Sequence, residues 1–176
     1  MLAADTICLR PPEARDLPFF VGLRNDLALQ LSLMAVPRPN PPAKVAAWLE
    51  QRADDPHGAF FVIADAQTGD AAGFVQLTQI DTLHGTAELG ICLAGTAQGR
   101  GFAAEAMRLL EQYARQVFNL RKFVLRVLQG NQRAVSFYDR IGFRRVGTLQ
   151  QHHYQDGAHH DVLIMEKGLT AGSGDA

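Results

Sequence analysis

A glycine-rich segment in the middle of the chain has the composition of an anion-binding turn. Residues 98–103 read Gln-Gly-Arg-Gly-Phe-Ala, and a helical pattern follows them directly. Glycines let neighbouring backbone N–H groups converge on one point, and a helix N-terminus adds about half a positive charge. The segment lacks the GxxxxGK[ST] of a P-loop and the GxGxxG of a dinucleotide site. It therefore indicates either a site for a different phosphate-bearing cofactor or an ordinary tight turn.

A second group of polar and aromatic residues follows a predicted strand further along the chain. Asn131 stands between that strand and a short predicted helix, where it is a good N-cap residue. Tyr138 comes seven residues later, about two helical turns on and on the same side of the helix. A phenol at such a junction can protonate a leaving group, and it can equally be a core aromatic.

Three motifs occur in order at the spacing of a known protein family. Residues 98–103 fit the pattern [RQ]xxGx[GA], residues 131–143 fit NxRAxxFYxxxGF, and residues 88–93 (ELGICL) fit the strand before the glycine-rich turn. The chain from residue 7 to residue 167 thus resembles the Gcn5-related N-acetyltransferases (GNAT). Its final hairpin, residues 154–165, is similar to that of the ribosomal-protein-alanine and polyamine N-acetyltransferase branches.

The resemblance implies an enzyme that binds acetyl-CoA and transfers the acetyl group directly to a primary amine of a small molecule or peptide. The backbone of the fourth strand would hold the pantetheine arm, and the glycine-rich turn would wrap the pyrophosphate. Tyr138 would protonate the departing CoA thiolate. The residues implied in acetyl-CoA binding are Ile91, Cys92, Leu93, Gln98, Gly99, Arg100, Gly101, Phe102, Ala103, Asn131, Ala134, Phe137 and Tyr138.

The attacking amine must lose a proton, because an ammonium group has no lone pair, so a base is required. Glu88, at the start of the fourth strand, stands where a carboxylate often serves as base in this family, usually through water. A strand-end glutamate can also be a solvent-exposed ion-pair partner. His84, in the preceding turn, is the substitute candidate because imidazole has the better unperturbed pKa for the task.

The acceptor is predicted to lie against the first two helices, their connection and the turn before the fourth strand. The predicted contacts are Leu31, Met34, Arg38 and His84. A polyamine acceptor is one alternative, but residues 27–44 contain no carboxylate to bind a polycation. An alternative of another class is a noncatalytic acyl-CoA sensor, which would need neither acid nor base. The amino-acid sequence does not choose among peptide, amino sugar, amino acid and antibiotic acceptors.

Hydrophobic periodicity and turn residues predict an α/β (α+β) protein with a mixed sheet. Strands are predicted at residues 6–10, 59–64, 72–80, 86–93, 122–128, 143–149 and 161–167, and helices at 16–33, 43–52, after the glycine-rich turn and at 132–140. The third helix has one apolar face, formed by Ala103, Met107, Leu110, Ala114 and Val117. The resemblance implies the GNAT fold: one mostly antiparallel sheet of about seven strands, flanked by about four helices and splayed between strands 4 and 5.

Length and composition exclude several other classes of protein. The 176 residues suit one domain, predicted at residues 1–168, with a disordered tail at 169–176. The 17 basic residues balance the 18 acidic ones, which argues against a nucleic-acid or membrane partner. The first ten residues lack the apolar run of a signal peptide, so a cytoplasmic protein is expected.

Cysteine and histidine usage gives little support to a disulfide or a metal site. Cys8 and Cys92 are far apart and are predicted to be free thiols. Adjacent histidines, at 152–153 and 159–160, would point to opposite faces of a strand, so no metal is predicted. Trp48 is interpreted as a core residue. Exposed strand edges make a homodimer possible.

Overall fold

The computed structural model describes residues 1–169, which form one eight-stranded sheet with five α-helices. The strands are β1 (Leu2–Ala3), β2 (Ile7–Arg10), β3 (Ala59–Asp65), β4 (Ala71–Asp81), β5 (Thr86–Leu93), β6 (Lys122–Leu128), β7 (Arg144–Gln155) and β8 (Ala158–Gly168). The helices are α1 (Leu17–Asn25), α2 (Leu27–Ser32), α3 (Pro42–Ala53), α4 (Phe102–Phe118) and α5 (Gln132–Arg140). No helix within residues 1–169 is both long and apolar enough to cross a membrane.

The sheet has the order β1-β2-β3-β4-β5-β6-β8-β7. Every neighbouring pair is antiparallel except β5 and β6, which are joined through the crossover helix α4 and run parallel. These two strands pair over only three positions, from Thr86 with Lys122 to Glu88 with Val124, and then diverge. The predicted mostly antiparallel sheet and its splay between the central strands are therefore confirmed.

The element count differs from the prediction for two local reasons. The N-terminal residues add the short strand β1, which pairs with β2 and makes eight strands rather than about seven. The helix predicted over residues 16–33 is divided at Asp26, whose ψ of 104° is extended. Asp26 caps α2 through Leu29 N–H at 3.0 Å. Asp16 occupies the N-cap position of α1, but its carboxylate binds the Arg10 guanidinium instead, at 2.7 Å and 2.8 Å.

Alternate residues of the central strands belong to two apolar clusters, which therefore lie on opposite faces of the sheet. One cluster packs against α4 and includes Leu77 and Met107, both almost completely buried. The other packs against α1 and α3 around Phe20. The predicted apolar face of α4 is wrong at its last position, because Val117 is 57% exposed.

The C-terminal end of β8 reaches one residue further than predicted. Leu169, assigned from sequence to the tail, is buried, and its N–H donates to Arg121 O at 2.8 Å. The rest of the predicted tail, residues 170–176, lies outside the described residues. Both cysteines are free thiols: Cys8 is partly buried and Cys92 is buried.

Candidate active site

The divergence of β5 and β6 opens a cleft of about 1340 Å³ in the middle of the sheet. Its floor and walls come from the second half of β5, the N-terminus of α4, the end of β6, and α5. The α1–α3 region and β7 close it on the other side. The predicted site residues that line it are Met34, Glu88, Ile91, Cys92, Leu93, Gln98, Gly99, Gly101, Phe102, Ala103, Asn131, Ala134, Phe137 and Tyr138.

The glycine-rich turn presents its backbone N–H groups to this cleft. Gly99 and Gly101 have φ values of 79° and 83°, a left-handed conformation that glycine adopts without strain. Within residues 1–169, no protein group accepts a hydrogen bond from the N–H groups of residues 99–103. These donors lie at the N-terminus of α4, so they form a concave, electropositive turn that suits a phosphate group.

Arg100 is the exception among the predicted cofactor residues, because its side chain turns away from the cleft. Its Nη2 pairs with Asp65 Oδ2 at 2.7 Å, and its guanidinium lies 4.3 Å from the centre of the Phe102 ring. The ion pair joins the turn to β3, so Arg100 positions the backbone of the turn in this structure.

Substituting Gly101 tests the anion-binding turn. Gly101→Ala is expected to raise the KM for acetyl-CoA about tenfold with little change in kcat, because a left-handed residue with a Cβ costs about 1–2 kcal/mol. The strain would move the backbone donors of the turn. Steady-state kinetics at saturating amine measure the effect. Gly22→Ala in α1 is the control, since nothing lies within 4 Å of its added Cβ; an unchanged KM in Gly101→Ala would contradict the assignment.

Polar side chains connect the two walls of the cleft near the glycine-rich turn. Gln98 Nε2 donates to Leu93 O at 3.1 Å, and Arg133 of α5 donates to Gln98 Oε1. Asn131 caps α5, because its Oδ1 accepts from Ala134 N–H at 3.2 Å. Asn131 therefore has the structural role that its position after a strand predicted, and it also lines the cleft.

Tyr138 reaches the cleft from α5 and is only 8% exposed. Its ring packs between Phe137 and Phe143, with centroid separations of 5.4 Å and 5.5 Å, which fixes its orientation. Burial, with a smaller contribution from nearby Cys92, raises the pKa of the Tyr138 phenol to about 12. The hydroxyl therefore stays protonated at neutral pH and can act as a proton donor.

Glu88 lies at the last paired position of β5 and β6, where the cleft begins. Its Oε1 is 3.9 Å from Arg126 Nε on β6, and its side chain is 27% exposed. The alternation of β5 puts Glu88 on the same sheet face as Cys92, toward α1 and α3. A carboxylate in this place can accept a proton from a group bound in the cleft.

The predicted acceptor contacts are only partly brought together. Met34 lines the cleft, whereas Leu31, Arg38 and His84 lie outside its wall. His84 is exposed in the turn between β4 and β5, where its N–H donates to Asp81 Oδ1 at 2.8 Å. The structure thus gives no support to His84 as the base.

Several residues of the cleft wall were missed from the sequence. Trp48, interpreted as a core residue, packs against Phe20 and Phe74 but also lines the cleft. The other missed wall residues with polar side chains include Arg24, Gln30, Arg52, Gln76, Arg126, Arg133, Arg140, His152 and His153. Within residues 1–169, no group of three or more histidine, cysteine or acidic side chains could hold a metal ion.

Comparison with known proteins agrees with this geometry. The family profile described as an acetyltransferase (GNAT) domain matches residues 6–144. The spermidine N(1)-acetyltransferase of Vibrio cholerae serotype O1 is 35% identical over 105 residues, which are 60% of this chain and 60% of that enzyme. The spermidine N(1)-acetyltransferase of Escherichia coli K12 is 28% identical over 165 residues, 94% of this chain and 87% of that enzyme.

Solved structures give the same answer over nearly the whole chain. The crystal structure of spermidine N-acetyltransferase from Vibrio cholerae in complex with CoA and spermine has a TM-score of 0.85 to this chain at 29% identity. The match covers 93% of this chain and 96% of that one. The chain therefore belongs to the Gcn5-related N-acetyltransferase family and is an N-acetyltransferase that uses acetyl-CoA.

Proposed function

We propose that the chain transfers the acetyl group of acetyl-CoA directly to a primary amine, with Tyr138 as the acid and Glu88 as the base. The observation that carries the proposal is their placement around one cleft. Glu88 lies where β5 and β6 separate, and Tyr138 lines the same cleft from α5. The amine of a small molecule or peptide would bind on the Glu88 side of the sheet.

The donor half of the cleft fits acetyl-CoA. The unpaired backbone N–H groups of residues 99–103 would hold the pyrophosphate. Beyond Glu88, β5 no longer pairs with β6, so backbone groups of Leu89 to Leu93 can bind the pantetheine arm. Gln98 already bonds to the carbonyl of Leu93 at 3.1 Å, which limits how far the arm can pair.

The proton transfers of the proposed reaction balance without a metal or a redox partner. The amine nitrogen forms a bond to the acetyl carbon while the carbon–sulfur bond breaks. Glu88 first takes one proton from the ammonium group, directly or through water, and Tyr138 gives a proton to the departing sulfur. The nitrogen loses its second proton to solvent as the amide forms. Exchange with solvent then returns both side chains to their starting states.

Cys92 supports direct transfer rather than an acetyl-cysteine intermediate. Burial, with a smaller effect of Asp26, raises the pKa of the Cys92 thiol to about 12, so only about one part in 10⁵ is thiolate at pH 7. We therefore expect Cys92→Ala to keep kcat within about threefold. We also expect double-reciprocal plots of initial rate against one substrate, at several fixed concentrations of the other, to give intersecting lines. Parallel lines, together with an inactive Cys92→Ala variant of unchanged melting temperature, would contradict direct transfer.

The test of the proposal is release of free thiol from acetyl-CoA in the presence of an amine panel. The panel contains spermidine, amino sugars and short peptides, and mass spectrometry identifies the acetylated product. Acetylation of at least one amine is the expected result. Binding of acetyl-CoA without turnover on any amine would favour the noncatalytic sensor, and absence of binding would reject both.

Spermidine is the second candidate acceptor, because the relatives reported above are spermidine N-acetyltransferases. Against it stands the absence of carboxylates from residues 27–44.

Four further properties stay predictions: a homodimer, a cytoplasmic location, a single domain over residues 1–168 and independence from metals. Sedimentation of the purified chain would test the first of them.

A further inference from the structure

Two arginines from different helices line one wall of the cleft together with a tryptophan. The guanidinium carbon of Arg24, on α1, lies 4.9 Å from the centre of the Trp48 ring on α3. Arg52 follows Trp48 by four residues, so both side chains share one face of α3. All three side chains line the cleft. Burial, and then the positive charge of Arg52, lowers the pKa of Arg24.

Within residues 1–169, neither of these arginines is neutralised by an acidic side chain, since no carboxylate forms an ion pair with Arg24 or Arg52. Arg24 Nη1 approaches the neutral Gln30 Oε1 at 3.4 Å. Holding two like charges together in a partly buried place costs free energy unless an anion joins them. The pair therefore has the properties of an anion site that is already assembled.

The cleft as a whole is also strongly cationic. Among residues 1–169, its wall holds five arginines but a single carboxylate, that of Glu88. Two of the arginines have local partners, Arg126 near Glu88 and Arg133 on Gln98. Residues of α2 also line the cleft, and the acidic residue nearest to them in sequence is Asp26. Asp26 caps α2 and lies outside the cleft.

The arginine pair lies on the acceptor side of the sheet, not on the side of the glycine-rich turn's helix. Trp48 packs on Phe74, with ring centroids 6.0 Å apart, and Phe74 pairs with Cys92 on β5. Cys92 shares a sheet face with Glu88, and the two residues are four positions, or about 13 Å, apart along β5. The apolar side of α4 packs on the opposite face. The arginine pair and the glycine-rich turn thus lie in different parts of the cleft.

We propose that Arg24 and Arg52 bind an anionic group carried by the acceptor, so that the substrate is an amine that also bears a carboxylate or a phosphate. The proposal rests on the proposed function, because it assigns the acceptor half of the same cleft. Glu88 receives the proton from the amine end, and the arginine pair fixes the anionic end some way along β5. Arginine forks suit both oxyanions, since each accepts two parallel N–H bonds.

The same charges disfavour a polycation. Spermidine would bring several positive groups into a wall that already holds the uncompensated Arg24 and Arg52. Like charges brought close together repel, and a protein surface screens this repulsion less than bulk water does. An anionic amine instead gains two charge-assisted contacts in the same place. The cleft therefore selects between the two classes of acceptor by charge.

The test compares acceptors in matched pairs that differ only in the anionic group. One pair is a tripeptide with a free C-terminal carboxylate and the same tripeptide as its amide. The other is glucosamine 6-phosphate and glucosamine, and spermidine completes the set. Thiol release gives kcat/KM for each amine. The anionic member of at least one pair is expected to be preferred roughly tenfold or more, and the pair that responds identifies carboxylate or phosphate as the ligand.

Variants then locate the preference. Arg52→Gln and Arg24→Gln are expected to remove it by lowering kcat/KM for the anionic member roughly tenfold, to the value of the neutral member. Arg52 is the cleaner position, because Arg24 also stacks on Trp48. Arg108→Gln is the matched control, on an exposed position of α4. Melting temperatures show that each variant is folded.

The outcomes separate this inference from the proposed function. Acetylation of neutral amines or spermidine at least as fast as of the anionic partners would overturn the anion site and leave the transferase in place. A rise in the KM for acetyl-CoA in Arg52→Gln, without loss of the acceptor preference, would assign the pair to the donor and also overturn it. Failure to acetylate any amine would reject both.

Discussion

Tyr138→Phe is expected to lower kcat about 10²- to 10³-fold while the dissociation constant for acetyl-CoA stays within about twofold. The substitution removes only the hydroxyl that gives its proton to the CoA sulfur, and the ring keeps its packing between Phe137 and Phe143. Thiolate expulsion is slow without that proton, but cofactor contacts are unchanged. Steady-state kinetics and calorimetric titration measure the two quantities.

The pH profile adds an independent test of the same residue. The pKa of Tyr138 is raised to about 12, so the phenol keeps its proton throughout the range in which the enzyme can be assayed. The rate of the wild type should therefore rise with pH as the amine loses its proton and should not fall again below about pH 10. A descending limb centred well below pH 10 would contradict the role of Tyr138.

Tyr113→Phe is the matched control for the loss of a hydroxyl. Tyr113 is partly buried on α4 and packs its ring against Phe61 and Phe118, away from the cleft. Its removal should leave kcat within about twofold. Equal losses of activity in both tyrosine variants would show a general effect of the substitution on folding.

The sequence predicted most residues of the proposed donor half as neighbours, and local features explain why: they line one cleft because short-range geometry places them there. The two glycines of the turn adopt left-handed backbone angles, and a helix begins immediately afterwards. Asn131 caps the short helix that carries Tyr138, and the helical repeat fixes the side on which Tyr138 lies. Each of these relations involves fewer than a dozen residues, so spacing in the chain was enough.

The acceptor half could not be predicted, because it depends on where separate elements meet. Arg24 and Trp48 come from helices α1 and α3, which are separated in the chain by α2 and a loop, and no spacing connects them. The break at Asp26 also changes the direction of the wall, so Leu31 on α2 faces elsewhere. Periodicity within one helix cannot report how two helices are oriented toward a sheet.

The histidines of β7 show a different limit. The strand was predicted to end at residue 149, but it continues to Gln155 and brings His152 and His153 to the cleft wall. Its register against β8 shifts between Leu149 and His153, and Gln151 has a φ of 49°. This irregularity breaks the alternation by which a strand is recognised in sequence.

The sheet face of Arg126 could have been predicted from the sequence. Arg126 is one residue from the buried Leu125 on β6 and must face the other way.

Glu88→Gln is expected to lower kcat/KM for the amine about 10²-fold near neutral pH, because the amide keeps the shape of the side chain but cannot accept the proton. The loss should shrink as the pH approaches the pKa of the acceptor amine, about 10 for an alkylamine, because solvent then supplies the unprotonated nucleophile. Measuring kcat/KM between pH 6.5 and pH 10 would show the two profiles converging. A structural role of the Glu88–Arg126 pair alone, with Oε1 and Nε 3.9 Å apart, would give a loss that is independent of pH.

His84→Asn and Glu50→Gln complete the experiment on the base. His84 is the rival base in the sequence, and the structure places it in an exposed turn outside the cleft wall, so its substitution should change kcat/KM by less than about twofold. Glu50 is exposed on α3, and its substitution controls for the loss of one negative charge. A pH-dependent loss in His84→Asn, with full activity in Glu88→Gln, would transfer the role of base to the turn. If only Glu88→Gln loses kcat/KM, and if a higher pH restores it, then proton removal takes place where β5 and β6 separate. This is the point at which the fold opens the sheet to both substrates.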